Sequence, residues 1–190
     1  MLNSFLYTLV LDDPAATAAG FFALACLTVW PLFRTRTGIL LAQLGAGIGF
    51  ASHYALLDMA APSLVNVLGV VQTLAALFAM QSKALNRIGY GLIPLMIATG
   101  IYFWTGPASV LCVTAMALIA LGRMQDNQWT LRLLILAGGV SWSVHDYLVG
   151  SWIALAADLL SLTMGLAMLA SMAFAVKTRP RAGVYVGTLP

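Results

Sequence analysis

Seven long apolar runs, separated by short polar or turn-forming segments, make up most of the chain. They cover about residues 15–33, 38–57, 62–82, 88–104, 107–124, 129–149 and 151–175. Each run is close to the roughly 17–25 residues that a membrane-crossing helix needs. The pattern therefore predicts an all-α membrane protein with seven transmembrane helices.

Composition supports a membrane environment. Apolar residues make up 62% of the 190 residues and charged residues only 8%, whereas a soluble domain carries about a quarter charged residues. A chain with so few charges cannot cover a water-facing surface, so we expect the lipid bilayer to be its main surroundings. A nucleic-acid partner is not expected, and a homo-oligomer is left open.

The basic residues predict how the helices are oriented. If the N-terminus lies outside, all nine fall on the cytoplasmic side, and Asp12, Asp13 and Asp58 fall on the other. Lysine and arginine concentrate on the cytoplasmic side of membrane proteins. The pattern predicts an outside (periplasmic) N-terminus and a cytoplasmic C-terminus. The basic residues are Arg34, Arg36, Lys83, Arg87, Arg123, Arg132, Lys177, Arg179 and Arg181.

An internal repeat relates the two halves of the chain. A shift of 92 residues superimposes runs one to three on runs five to seven and leaves the fourth unpaired. The shift aligns Gly47 with Gly139, Phe50 with Trp142, His53 with His145, and Asn66 with Asp158. Because three helices invert a chain, the extra helix restores the orientation and makes the repeats parallel. This predicts repeats at 15–83 and 107–176, a linker helix at 84–106, an extracytoplasmic segment at 1–14 and a basic cytoplasmic tail at 177–190.

Six polar or aromatic residues are predicted to lie at one depth between the two repeats. Ionisable groups inside a membrane are costly and often functional, and aromatic faces with a few polar groups suit a small polar ligand. The alternative for these residues is a set of packing hydrogen bonds between helices. Asp146 is expected to be hydrated near the outer surface. The six candidates for substrate binding are Phe50, His53, Asn66, Trp142, His145 and Asp158.

Other motifs add a candidate gate and no enzyme site. Pro31, near the cytoplasmic end of the first run, is a candidate gating residue because proline bends helices. Gln43 and Gln72 are expected to brace helices. The sequence has two histidines, two isolated cysteines and no HExxH or GxSxG motif, so no metal, cofactor or enzymatic activity is expected.

Residues 142–151, with the sequence WSVHDYLVGS, resemble the motif W-x-x-H-[DN]-[FY]-x-x-G-S of the YgjV-like bacterial inner-membrane proteins. The stretch from Gly47 to Asn66 is similar to the first-half histidine motif of that family, and the resemblance covers roughly residues 18–176. The 3+1+3 plan also resembles the SWEET and PQ-loop transporters. That resemblance implies that Phe50 with Asn66 and Trp142 with Asp158 line a substrate site.

The leading hypothesis is a transporter of the bacterial inner membrane that carries a small solute, sugar-like or another polar metabolite. Two parallel repeats with a polar level between them would allow alternating access to that level. The alternative is a membrane receptor or assembly partner that transports nothing.

Overall fold

A computed structural model of the protein describes residues 13–58, 60–104, 106–149 and 152–177. The predicted extracytoplasmic segment and the basic tail lie almost wholly outside these residues. Within them the chain forms seven α-helices and one short 3₁₀ helix, Trp30–Leu32. The α-helices are α1 (Pro14–Val29), α2 (Arg36–Leu56), α3 (Ala60–Phe78), α4 (Lys83–Tyr102), α5 (Ala108–Arg123), α6 (Gln128–Val149) and α7 (Trp152–Lys177).

Polar side chains set where three of these helices begin. Asp13 accepts hydrogen bonds of 2.9 Å from the amides of Ala15 and Ala16, and Thr35 accepts one of 3.1 Å from the amide of Gly38. Ser82 caps α4 in the same way. An N-cap side chain satisfies amides that have no partner within the helix. The cap at Ser82 explains why α4 begins at Lys83, before the apolar run that starts at residue 88.

The prediction of membrane-crossing helices is confirmed in part. Four helical stretches in the described residues are long and apolar enough to cross a membrane: Pro14–Leu32, Arg36–Leu56, Lys83–Tyr102 and Leu155–Ala175. Two shorter apolar helices cover Pro62–Phe78 and Ala108–Arg123. The all-helical class is therefore established, and a crossing by α3, α5 and α6 stays a prediction.

Each helix packs against the next one along the chain. In addition, α1 packs against α7, and α3 packs against α5. One buried cluster joins the 3₁₀ helix after α1 to α2, α6 and α7. It lies where the first halves of α2 and α6 meet. It consists of Trp30, Ile39, Ala42, Leu131, Ile135, Leu136 and Leu169.

Equivalent contacts recur at the 92-residue spacing. A Cβ atom on Gly47 would lie 3.0 Å from Val70, and a Cβ atom on Gly139 would lie 3.1 Å from Leu162. Both members of the second pair lie 92 residues after those of the first. The close approach of α2 to α3 is thus repeated between α6 and α7, because a glycine leaves the same space for a branched side chain.

One end of the bundle collects positive charge. The turns after α1, α3 and α5 lie at this end. The turns and the helix ends beside them carry Arg34, Arg36, Lys83, Arg87, Arg123 and Arg132. We call it the basic end. Asp13 and Asp58 lie at the opposite end, where Asp58 adopts a φ of 56° in the turn after α2. The charge separation expected from the sequence is therefore present in the fold.

Close packing of α1 on α2 yields a first test. A Cβ atom on Gly49 would lie 2.8 Å from the Cβ of Ala23 and 2.9 Å from the carbonyl oxygen of Ala19. We expect Gly49→Ala to lower the free energy of unfolding by about 1–3 kcal/mol, because backbone atoms must move apart. Denaturant unfolding in detergent micelles, followed by far-UV circular dichroism, measures the change.

Gly91 on α4 is the matched control. Nothing lies within 4 Å of a Cβ atom added there, and alanine favours helix over glycine by about 1 kcal/mol. Gly91→Ala should leave stability unchanged or raise it. Equal losses for the two variants would contradict the close packing of α1 on α2.

Candidate functional site

His53 is bound to α1. Its Nδ1 lies 2.7 Å from the carbonyl oxygen of Ala16, and Gly20 leaves room for the ring, because a Cβ atom there would lie 3.0 Å from Nδ1. A carbonyl oxygen only accepts hydrogen bonds, so Nδ1 must carry the hydrogen. In this structure His53 braces α2 against α1, which is the packing alternative considered for it.

The other two candidates in the first half, Phe50 and Asn66, contact residues one helical turn away on their own helices. Phe50 stacks on Tyr54 one turn later, with ring centroids 6.2 Å apart. Asn66 donates a hydrogen bond of 2.9 Å to the carbonyl oxygen of Pro62, one turn earlier on α3. Both side chains are partly buried. The amide oxygen of Asn66 and the ring of Phe50 are the groups that a ligand could meet.

The second-half candidates on α6 form a connected group. Trp142 and His145 make an edge-to-face contact with centroids 5.3 Å apart. His145 Nδ1 lies 3.1 Å from Oδ1 of Asp146. Asp146 is only 7% exposed, so the expectation of a hydrated surface carboxylate is wrong. A hydrogen bond from a neighbouring residue offsets part of the cost of burying it.

Asp146 lies within electrostatic range of residues on three other helices. Its carboxylate is close enough to interact electrostatically with Asp158 on α7, Tyr54 on α2 and Cys112 on α5. We refer to Tyr54, Cys112, His145, Asp146 and Asp158 as the carboxylate cluster. It lies toward the end of the bundle opposite the basic end.

Three members of the carboxylate cluster, Tyr54, Cys112 and Asp146, were missed as site residues in the sequence. Tyr54 and Asp146 each follow a histidine directly, and they stand 92 residues apart. The repeat alignment therefore contained a signal for them, since it pairs an aromatic hydroxyl with a carboxylate. Asp146 was instead expected to be hydrated near the outer surface.

The six predicted residues are joined only in part by the contacts in the described regions. Trp142 and His145 touch, and His145 bonds to Asp146. Asp158 lies within electrostatic range of Asp146. His53 and Asn66 bond to α1 and to their own helix. At this level of the bundle the two halves of the chain come within electrostatic range of each other at Tyr54 and Asp146.

Pro31 lies within the 3₁₀ helix that follows α1, and it is buried. Its carbonyl oxygen accepts a hydrogen bond of 2.9 Å from Nη1 of Arg132. The preceding residue, Trp30, donates from Nε1 to Oγ of Ser161 on α7 at 2.9 Å. The end of α1 is thus attached to both α6 and α7.

A second polar group lies at the basic end. Arg123, the last residue of α5, donates to Oε1 of Gln43 at 2.9 Å and lies 3.5 Å from Oε1 of Gln72. Gln72 in turn donates to the carbonyl oxygen of Ala120 at 2.9 Å. The expectation that the two glutamines brace helices is met here, with Arg123 as the residue that joins α2, α3 and α5.

A metal site is not formed by the residues that the structure describes. No three histidine, cysteine, aspartate or glutamate side chains among them come together in a group that could hold a metal ion. Both cysteines, Cys26 and Cys112, are free thiols.

Comparison with known proteins identifies the family. No curated protein and no solved structure matches the chain. A family profile described as Imp-YgjV, bacterial inner membrane protein, matches residues 15–175. This match covers all seven helices except the first residue of α1 and the end of α7, so the chain belongs to the Imp-YgjV family of bacterial inner membrane proteins.

Proposed function

We propose that the protein is a small-solute transporter of the bacterial inner membrane. In this proposal residues 15–83 and 107–176 are parallel three-helix repeats joined by a linker helix, 84–106. The solute binds between them at the level of the carboxylate cluster. The recurrence of the Gly47–Val70 contact as Gly139–Leu162 supports the repeats.

The burial of Asp146 carries the proposal. This carboxylate is 7% exposed and acts on a second carboxylate, Asp158, from a neighbouring helix. Ionisable groups inside a membrane protein are expensive to bury and mark solute, ion or proton pathways. Two carboxylates near one phenol and one imidazole would bind a polar or cationic solute, or would carry a proton that accompanies it.

The aromatic candidates complete the proposed site. Trp142 packs on its inner side against a cluster of Ile93, Met96, Met116 and Ala120, and its edge meets His145. Phe50 occupies the equivalent position in the first repeat and stacks on Tyr54. Flat apolar faces beside a few polar groups orient a small organic solute. Asn66 would supply an amide in the first repeat where Asp158 supplies a carboxylate in the second.

Orientation follows from the charges. The basic end would face the cytoplasm, because lysine and arginine are retained on that side. The carboxylate cluster would then lie toward the periplasm. In this arrangement the N-terminus is periplasmic and the C-terminus is cytoplasmic.

Uptake into proteoliposomes tests the function. We expect the wild-type protein to take up at least one of three labelled probes, glucose, choline or thiamine. Asp158→Asn should reduce that uptake about tenfold or more, since it removes a charge worth at least about 1.4 kcal/mol of binding. Repeating the assay with and without a pH gradient shows whether a proton moves with the solute.

Asp58→Asn is the matched control. Asp58 is exposed in the turn after α2, at the same end of the bundle, and asparagine tolerates its positive φ. Uptake by this variant should equal that of the wild type. If all three proteins take up no probe, and Asp158 is inaccessible to water, the alternative of a receptor or assembly partner without transport is favoured.

A further inference from the structure

Arg36, in the first turn of α2, binds the turn that follows α5. Its Nε donates to the carbonyl oxygen of Gln125 at 2.8 Å, and its Nη2 donates to that of Arg123 at 2.9 Å. Nη2 also donates to the carbonyl oxygen of Ala76 at 2.8 Å, near the end of α3. One guanidinium from the first half of the chain therefore holds the end of α5 in the second half.

Arg132, in the second turn of α6, binds the turn that follows α1. Its Nη1 donates to the carbonyl oxygen of Pro31 at 2.9 Å, and its Nη2 donates to that of Phe33. The side chain is fully buried. A guanidinium from the second half therefore holds the end of α1 in the first half.

The two contacts are reciprocal. The acceptors in the second half, Arg123 and Gln125, lie 92 residues after the acceptors in the first half, Pro31 and Phe33. The same two carbonyl groups of each turn thus receive an arginine from the other half. The arginines themselves come from the same stretch of α2 and α6, one helical turn apart once the repeat is aligned.

We propose that these two arginine–carbonyl contacts form a latch that closes the basic end of the passage between the repeats. We call the Arg36 and Arg132 contacts the double latch. The inference rests on the proposed transport function, because it describes how one end of the passage closes. Both contacts are made in the structure. In this proposal that arrangement is the closed state of the basic end, and both contacts must break for the end to open.

The chemistry of the latch suits a contact that forms and breaks. The last carbonyl groups of a helix have no partner within the helix and lie at the negative end of its dipole. A guanidinium presents several N–H groups in a rigid fork and can bind two carbonyl oxygens at once. Because both contacts lie at the end of the bundle, water can replace each partner when the end opens.

Two unpaired donors lower the stability of the closed state. Nε of Arg132 and Nε of Arg123 are buried and make no hydrogen bond to a described residue. A buried donor without a partner costs free energy that water would return on exposure. Opening would hydrate both N–H groups and so offset part of the free energy lost when the latch breaks. The free-energy difference between the closed and open states is smaller for this reason.

Electron–electron distance measurements between two spin labels test the latch. The labels are placed at Arg34→Cys and Asp126→Cys in a background in which Cys26 and Cys112 are alanine. Both label positions are exposed, and they occupy equivalent turns of the two halves. The protein is measured in lipid nanodiscs with Arg36→Lys, with Arg132→Lys, and with neither.

We expect each lysine variant to raise the population of longer distances about tenfold, the effect of losing one hydrogen bond to a charged group. Lysine keeps the positive charge and hence the orientation, but its point-like ammonium cannot span two carbonyls. Arg87→Lys is the matched control, because Arg87 is exposed at the same end. It should leave the distances unchanged.

Gly38→Ala is a second route to the same result if a lysine variant does not fold. A Cβ atom on Gly38 would lie 2.8 Å from the ring of Phe33. It should push that residue, with its carbonyl group, away from Arg132 while leaving every arginine in place. A rise in the longer distances is again the expected result.

Distances that stay the same in the lysine and Gly38→Ala variants would overturn the latch. To separate the two proposals, uptake of glucose, choline or thiamine is measured on the arginine and glycine variants without labels and with native Cys26 and Cys112, because Cys112 belongs to the carboxylate cluster. Distances that respond in a protein that takes up no probe would support the latch and count against transport. Uptake of a probe, together with label distances that do not change in the variants, would support transport and count against the latch.

Discussion

Replacing Trp30 with alanine should lower the free energy of unfolding by about 3–5 kcal/mol, the usual cost of removing a large buried aromatic side chain. Trp30 is 1% exposed and packs in one buried cluster with Ile39 and Leu131. Its Nε1 also donates to Oγ of Ser161 at 2.9 Å. Denaturant unfolding in micelles, followed by far-UV circular dichroism, measures the loss.

Two further variants separate the contributions of Trp30. Trp30→Phe keeps most of the packing and removes the donor to Ser161, so it should cost about 1 kcal/mol for the hydrogen bond, together with a smaller packing loss. Trp104→Ala is the matched control, because Trp104 is 49% exposed and should change stability by about 0.5 kcal/mol or less. Similar losses for Trp30→Ala and Trp104→Ala would show that Trp30 does not hold α1 to α7.

Replacing Arg132 with methionine should lower the free energy of unfolding by about 3 kcal/mol, since two hydrogen bonds to a charged group are lost at about 1.5 kcal/mol each. The carbonyl groups of Pro31 and Phe33 lose their donor. Methionine has a similar length, so the effect of an empty space stays small. The same unfolding assay measures it.

Arg34→Met removes the same charge from the same end of the bundle. Arg34 is exposed, so this variant should change stability by about 0.5 kcal/mol or less. It also controls for any effect of lost positive charge on membrane orientation. A loss with Arg34→Met as large as that with Arg132→Met would assign the effect to charge and not to the contact with the α1 turn.

The stability variants and the latch variants address different properties of Arg132. Methionine removes all donors and is expected to destabilise the fold as a whole. Lysine retains the charge and one donor group, so it is expected to shift the distance between two turns in a folded protein. Loss of folding with Arg132→Lys, together with unchanged distances in Gly38→Ala, would leave Arg132 as a structural residue only.

Much of the helical framework could be predicted from the apolar pattern. The runs at 38–57 and 129–149 correspond to α2 and α6 within two residues. Long apolar runs between polar turns leave few alternatives, because backbone polar groups in an apolar environment must bond within the helix. Where a helix begins before its apolar run, as α4 does, the reason is a local hydrogen bond to the side chain of Ser82 that hydropathy does not report.

The site was predicted less completely, and its residues show why. Trp142 and His145 were selected and do lie in contact. Asp146 was predicted to be hydrated because it is close to the end of α6, yet it is buried beside His145. Depth along a helix can be counted from a turn, but which side of the helix faces a neighbour depends on how α2, α6 and α7 pack.

By itself the sequence determined that this is an all-helical inner membrane protein of the Imp-YgjV family, with its positive charges at one end. Those properties follow from residue type and position along the chain, because lipid favours long apolar segments and charged residues stay in water. Only the tertiary structure decided that Arg36 and Arg132 each bind a turn in the opposite half of the chain. Their partners are backbone carbonyl groups, which every residue carries, so no residue type marks them in the sequence.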